Sequence, residues 1–240
     1  MTILVLGAGA REHALAWRLA ADGHRVVSAP GNPGCARVGV CLPLDPADPV
    51  AVVAAARSAR ADLVVVGPEA PLVAGVVDAL AAAGIPAFGP RAAAARLEGS
   101  KAFAKEFMAR HGLPTARFAV CDDAASLERA LDALVDERGR VVVKADGLVA
   151  GKGVLVAADR AQARAFAAAC LSGARFGAAG RRVVVEAFAP GEEASLFFLC
   201  DGERVARFLP ARDYKRLADG DRATVSSRRA ASAGSRSPGA

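Results

Sequence analysis

Val141-Val142-Val143-Lys144-Ala145-Asp146-Gly147-Leu148-Val149-Ala150-Gly151-Lys152-Gly153, followed by Val154-Leu155-Val156, is the stretch on which the fold turns. A β-branched run ends in a lysine, passes through a loop with three glycines and a second lysine, and resumes as a second β-branched run. β-Branched residues suit a pleated sheet, and glycine removes the Cβ penalty where the backbone must bend, so the pattern predicts strand, pliable loop, strand. Backbone N–H groups of such a loop can lie on polyphosphate oxygens while two ammonium groups offset the charge. The spacing is not that of a P-loop: Gly153 stands where G-x-x-x-x-G-K-[ST] requires Ser or Thr. Taken alone, the stretch is equally a glycine-containing hairpin with two solvated lysines.

Upstream, Thr2–Leu6 reads as a buried strand, followed by a glycine turn, a helix from Arg11 to Ala21 and a strand Arg25–Ser28. This alternation opens a doubly wound α/β fold. The turn is not a dinucleotide fingerprint, because Glu12 replaces the third glycine and no acid closes the second strand. Amides at the start of the Arg11 helix can still receive a single phosphate. Pro49–Ala59 is a predicted helix and Asp62–Val66 a strand, ending in Gly67-Pro68-Glu69-Ala70-Pro71-Leu72 at the carboxyl edge where open α/β sheets bind ligands. That turn can also be a proline-stiffened helix start with Glu69 on the favourable end of the dipole. A helix reaching Ala83 and a strand Ile85–Phe88 follow.

Ser100 is the expected N-cap of a helix running from Lys101 to His111, with a lysine in a first turn that already carries partial positive charge. Gly112-Leu113-Pro114 ends it. Beyond lie a strand Thr115–Val120, a helix Ala124–Glu137, the central stretch, a helix Arg160–Leu171 and a strand Arg182–Glu186. Ala194–Cys200 and Arg204–Leu209 flank Asp201-Gly202 as a hairpin. Glu186 beside Phe188 can meet a purine amine and ring, and Glu193 can hold ribose hydroxyls; both acids can also be solvated turn residues.

Composition narrows the classes. In 240 residues, 53% are hydrophobic, which supports one large or two modest cores. No apolar run is long enough for a membrane span, and the N-terminus reads as a strand rather than a signal peptide. Five scattered cysteines without C-x-x-C indicate neither zinc nor a disulfide framework, and a reducing cytoplasm is the expected setting. Much of the net charge of +6 sits on Arg222, Arg228, Arg229 and Arg236, a stretch without an acid, and there is one Trp and one Tyr. A nucleic-acid partner is not expected.

Together, Gly9-Ala10-Arg11-Glu12-His13-Ala14, Ala29-Pro30-Gly31-Asn32, Val66–Leu72, Leu97-Glu98-Gly99-Ser100-Lys101, Lys144–Gly153, Gly191-Glu192-Glu193-Ala194-Ser195 and Asp213-Tyr214-Lys215-Arg216 resemble the ATP-grasp superfamily, and within it the phosphoribosylamine–glycine ligase family. The resemblance covers residues 1 to about 221. It implies a Rossmann-like substrate-binding domain (residues 1–99) and a partial ATP-grasp domain (100–221). It also implies ATP-dependent joining of glycine to 5-phospho-β-D-ribosylamine through an acyl phosphate, with ATP and Mg²⁺ or Mn²⁺ as cofactors. By this resemblance Lys101 and Lys144 contact ATP phosphates, and Gly147, Gly151, Lys152 and Gly153 belong to a closing flap. Glu186, Phe188 and Ala189 bind adenine, and Glu193 binds ribose. Gly9, Arg11, Asn32, Gly67, Pro68 and Glu69 line the phosphoribosylamine site, while Asp213, Lys215 and Arg216 face the glycine end. The alternatives are another ATP-grasp carboxylate–amine ligase or a non-catalytic ATP-binding fragment. A monomer is expected.

The chain departs from the family pattern at Ala8 and Ala10, which stand where the family has Asn and Gly, and again after Asp219-Gly220-Asp221. Residues 222–240, rich in Arg, Ser, Ala and Gly, are expected to be disordered. The family's metal-binding acids would lie beyond this point, so no metal ligand is expected here, and a truncated chain with little turnover and uncovered apolar surface is anticipated.

Overall fold

Leu4, Val5 and Leu6 have no exposed surface, a burial that a strand reaches when helices cover both of its faces. The computed structural model describes residues 1–149, 152–218 and 222–233, the last twelve and residues 213–218 by their backbone only. In its N-terminal half β1 (Thr2–Gly7), β2 (Arg25–Pro30), β3 (Val40–Cys41), β4 (Leu63–Val66) and β5 (Ala87–Phe88) form one parallel sheet in the order β3-β2-β1-β4-β5. The connecting helices are α1 (Ala10–Ala21), α2 (Pro49–Ala59), α3 (Glu69–Val73) and α4 (Val76–Ala82). Leu4, Leu6, Val27, Val64 and Val66 pack with Val52, Val76 and Leu80 on one side, and Ile3, Val5 and Val26 pack with Ala16 on the other. The order puts the carboxyl ends of β1, β2 and β4 side by side, where a doubly wound sheet places its ligands.

Two helices then lead to the second half: α5 (Ala92–Gly99) and α6 (Lys101–Arg110). Ser100 caps α6 by accepting from Phe103 N at 3.1 Å. The second sheet consists of β6 (Phe118–Cys121), β7 (Val141–Ala145), β8 (Val154–Ala157) and β9 (Val183–Ala187), wholly antiparallel in the order β6-β9-β7-β8. Helices α7 (Ala124–Leu134) and α8 (Arg160–Leu171) start at Asp123 and Asp159, whose carboxylates accept from Ser126 N and Gln162 N. They cover one face of this sheet, and Val141, Val143, Val183 and Val185 are sealed against Leu127, Leu131, Ala163 and Phe166. The strand period of two sends Val142, Lys144, Val184 and Glu186 to the other face. A hairpin of β10 (Phe198–Cys200) and β11 (Val205–Arg207) follows, then β12 (Ala211–Ala218) pairs antiparallel with β13 (Arg222–Ala233).

Four features differ from the sequence reading. Residues 222–233 are not disordered but form β13, whose ladder to β12 uses backbone groups and needs no apolar core, with irregularities near Tyr214, Arg216 and Ala218. Residues 234–240 lie outside the described residues. The helix predicted from Glu69 to Ala83 is broken at Gly75, whose φ of 84° is left-handed. Finally, α5 and the two-residue edge strand β3 had no counterpart in the prediction.

Candidate functional site

The face of the second sheet turned toward α6 is where charge collects. Lys101, Lys105 and Met108 are spaced i, i+4, i+7 on α6, so one helical face presents all three. With Leu97 and Glu98 from α5, Lys144 from β7 and Glu186 from β9, they line a cleft of about 170 Å³. Glu186 is buried and faces two ammonium groups: Lys105 Nζ is 2.9 Å from its Oε2 and Lys144 Nζ 2.8 Å from its Oε1. Oε1 takes no well-aligned hydrogen bond. Lys105 is itself buried and donates to Thr115 Oγ1 at 2.7 Å, whereas the Lys144 side chain is 28% exposed. Burial pushes the Lys101 ammonium below the usual lysine range, opposed by the carboxylates of Asp146 and Glu98.

The loop after β7 is tied to the start of α6. Asp146 accepts from Ser100 Oγ at 2.9 Å and from Ala102 N at 2.7 Å, and its carbonyl accepts from Lys101 N at 3.3 Å. Lys101 Nζ donates to the Gly147 carbonyl at 3.3 Å. Gly147 is a close-approach glycine, since a Cβ there would lie 2.7 Å from Ala179 Cβ. Gly153 is another, because a Cβ would run into the Val149 side chain. Lys152 is exposed, and Gly151 lies outside the described residues. Leu148, Val154 and Val156 stay about 40% exposed (39%, 41% and 42%), so the lysines border an apolar ledge.

The remaining residues assigned to the nucleotide are placed unevenly. The Glu186 carboxylate is held by two lysines rather than left open to a base amine. One face of Phe188 is covered by the Arg140 guanidinium, 4.2 Å from its centroid. Ala189 and Glu193 lie on the exposed segment after β9. Asp213, Lys215 and Arg216 fall on β12, and their side chains lie outside the described residues.

At the carboxyl edge of the first sheet the structure does bring the other predicted group together. Arg11 Nη1 lies 3.3 Å from the Gly67 carbonyl and 3.4 Å from Glu69 Oε1. Pro68 precedes α3 as its N-cap residue. The Asn32 side chain donates to the carbonyls of Ala8 and Gly9 (3.0 and 3.1 Å) and accepts from Gly34 N and Cys35 N (2.8 and 3.0 Å). Asn32 therefore clamps two loops together instead of pointing a free amide at a ligand. Glu12, which sequence reasoning noted only as a misfit, is buried and accepts from Gly9 N at 2.6 Å. Its carboxylate takes one of the amides expected to meet a phosphate; an acid at the third helical position was the signal for it. Lys105 was missed entirely, although its spacing from Lys101 put it on the same helical face.

A larger groove of about 260 Å³ between β6 and α7 offers only Ser126 and Arg129 as polar side chains. Among the described residues, no group of three or more His, Cys, Asp or Glu converges as a metal site, and no helix is long and apolar enough to cross a membrane.

Comparison with known proteins agrees with this fold. Residues 1–98 match the family model described as phosphoribosylglycinamide synthetase, N domain, and residues 99–233 match phosphoribosylglycinamide synthetase, ATP-grasp (A) domain. The chain is 53% identical over 223 residues to a phosphoribosylamine–glycine ligase of Caulobacter vibrioides, covering 92% of this chain and 51% of that protein. It superposes on the crystal structure of the phosphoribosylamine–glycine ligase of Thermotoga maritima with a TM-score of 0.78 and 31% identity, over 94% of this chain and 53% of the other. The fold is shared more widely: N5-carboxyaminoimidazole synthetase from Staphylococcus aureus gives a TM-score of 0.65 at 16% identity, over 88% of this chain and 54% of that one. The chain thus spans about half the length of the curated relatives it matches.

Proposed function

Because the chain belongs to the phosphoribosylglycinamide synthetase family by both its N domain and its ATP-grasp (A) domain, we propose that it binds ATP in the cleft between α6 and β7–β9. There it serves ATP-dependent ligation of glycine to 5-phospho-β-D-ribosylamine. The observation that supports this reading is the convergence of Lys101, Lys105 and Lys144 on one cleft that also holds Glu98 and Glu186, two of the lysines sharing the Glu186 carboxylate. Excess positive charge in a half-buried site, beside an apolar ledge and a glycine-rich loop, suits a triphosphate attached to a flat base.

In the reaction, the glycine carboxylate attacks the terminal phosphorus of ATP, ADP leaves, and the amine of phosphoribosylamine displaces phosphate from the acyl phosphate. Charge on the transferred phosphoryl group is spread over its oxygens, so the task of the protein is positioning and charge stabilisation. Lys101 and Lys144 hold the phosphates. The flap residues Gly147, Lys152 and Gly153, anchored at Asp146 and by the bond from Gly147 N to the Ala179 carbonyl, close over them. Ribosylamine lies at the carboxyl edge of the first sheet, with Arg11 on its phosphate and Glu69 on a hydroxyl or the amine; Gly67 and Pro68 shape the turn. Asp213, Lys215 and Arg216 serve the glycine end. Phe188 and Ala189 border the base, and Glu193 the ribose. Mg²⁺ or Mn²⁺ normally accompanies such chemistry; among the described residues no three or more His, Cys, Asp or Glu side chains converge to hold it.

Calorimetry with ATP, followed by measurement of ADP release with glycine and phosphoribosylamine, tests the reading. ATP binding with little or no ADP release from this chain alone, even with both substrates present, is the expected result. Binding without release makes the chain a nucleotide-binding domain, and absence of binding refutes the site.

A further inference from the structure

We infer that Lys105 is a positioning residue for the phosphates of the bound nucleotide, acting through Glu186 on Lys144; the inference rests on the nucleotide reading of the cleft. Lys105 is 8% exposed, and its ammonium faces Glu186 Oε2 (2.9 Å), Thr115 Oγ1 (2.7 Å) and the ring of Phe118 (5.7 Å to the centroid). Its ammonium is engaged by these three groups, so Lys105 forms part of the cleft wall without being placed to hold a phosphate. A buried lysine is costly unless its charge is used, and here the charge is directed at the carboxylate that Lys144 also approaches.

The consequence is electrostatic. Glu186 lies 2.8 Å from Lys144, and without Lys105 its whole charge would fall on that one ammonium. Lys144 would then be half of a neutral pair, with its proton donors drawn toward the sheet. With Lys105 present, the carboxylate is shared and Oε1 takes no aligned hydrogen bond. The Lys144 ammonium, on a side chain 28% exposed, keeps donors for an anion in the cleft. Lys105 thus preserves one net positive charge at the phosphate end without touching the phosphate.

The test is the ratio of ATP to adenosine affinity, measured by calorimetry on the full chain for wild type, Lys105→Met and Lys105→Met/Glu186→Gln. Adenosine carries no phosphate, so a general structural defect lowers both affinities together. Lys105→Met is expected to lower the ratio about tenfold, equivalent to about 1.4 kcal/mol. The double variant, which removes one charge of each sign, is expected to bring the ratio back within about threefold of wild type. An unchanged ratio in Lys105→Met, or a double variant as impaired as the single one, overturns the inference. If Lys105→Met does not fold, the double variant decides alone: a ratio near wild type supports the inference and a tenfold drop refutes it. A wild-type chain with no preference for ATP over adenosine fails the nucleotide reading and the inference with it. A wild-type preference that Lys105→Met retains fails the inference only.

Discussion

Replacing Asp146 with alanine should loosen the junction between β7 and α6 at a calculable cost. Its carboxylate accepts from Ala102 N at 2.7 Å and from Ser100 Oγ at 2.9 and 3.2 Å, and so occupies the N-terminal end of α6 beside the Ser100 cap. Hydrogen bonds to a charged group are worth roughly 1.5–3 kcal/mol each, and one orphan donor left at a partly buried helix end costs roughly 1–3 kcal/mol. The three contacts are not independent, and Ser100 can turn to water, so a loss of about 2–3 kcal/mol is expected. Asp146→Asn keeps one acceptor oxygen but drops the charge, and should lose about 1 kcal/mol. For a chain of this size each kcal/mol moves the midpoint by roughly 2–4 °C, so Asp146→Ala should melt about 4–12 °C below wild type and Asp146→Asn about 2–4 °C below. Calorimetric melting of the three proteins, without nucleotide, measures both values. If Asp146→Ala melts within 1 °C of wild type, the carboxylate does not hold α6 and the reasoning is wrong.

Two further outcomes follow from surface features. Glu128 is held down to about 2 by hydrogen bonds from Arg164 and then Arg160. A carboxylate depressed in the folded state contributes stability above its unfolded value, and that contribution is lost as pH falls from about 4.5 through about 2. Glu128→Gln should therefore differ from wild type in melting temperature at pH 7 and converge with it near pH 2, the gap shrinking in high salt because the group is exposed. On the hairpin, Phe198 and Phe208 are 52% and 56% exposed with Leu196, Phe197 and Leu209 alongside. Phe198→Glu/Phe208→Glu should raise the concentration at which light scattering detects association, with the melting point nearly unchanged.

What the sequence disclosed tracks how locally each feature is encoded. Helices α2 and α8 run over the predicted residues because an Asp cap precedes each, Asp48 or Asp159, and the apolar pattern needs no distant partner. Helix α5 was invisible: Arg91-Ala92-Ala93-Ala94-Ala95 has no amphipathic stripe, and it is held by tertiary contacts, including the bond from Ala92 N to Asp78. Strand β13 escaped for the opposite reason, since its composition promises nothing to bury while its backbone still finds a partner in β12. In the site, Lys101 and Lys144 stood out because each sits at an element end beside glycines. The work of Asn32 and Lys105 could not be read, because each acts on a group from another part of the fold, the Ala8–Gly9 carbonyls and Glu186, whereas Glu12 acts locally on the Gly9 amide and its place at the third helical position was the unused signal. Local chemistry located the cleft; which polar atoms were already engaged required the assembled structure.

The most direct measurement is the affinity of Lys144→Ala for ATP, set against its affinity for adenosine. If the ammonium on β7 holds phosphate, ATP affinity falls by about 10–100-fold, the equivalent of one charge-assisted contact, while adenosine binding changes little. Equal ATP affinity in wild type and Lys144→Ala would contradict the account.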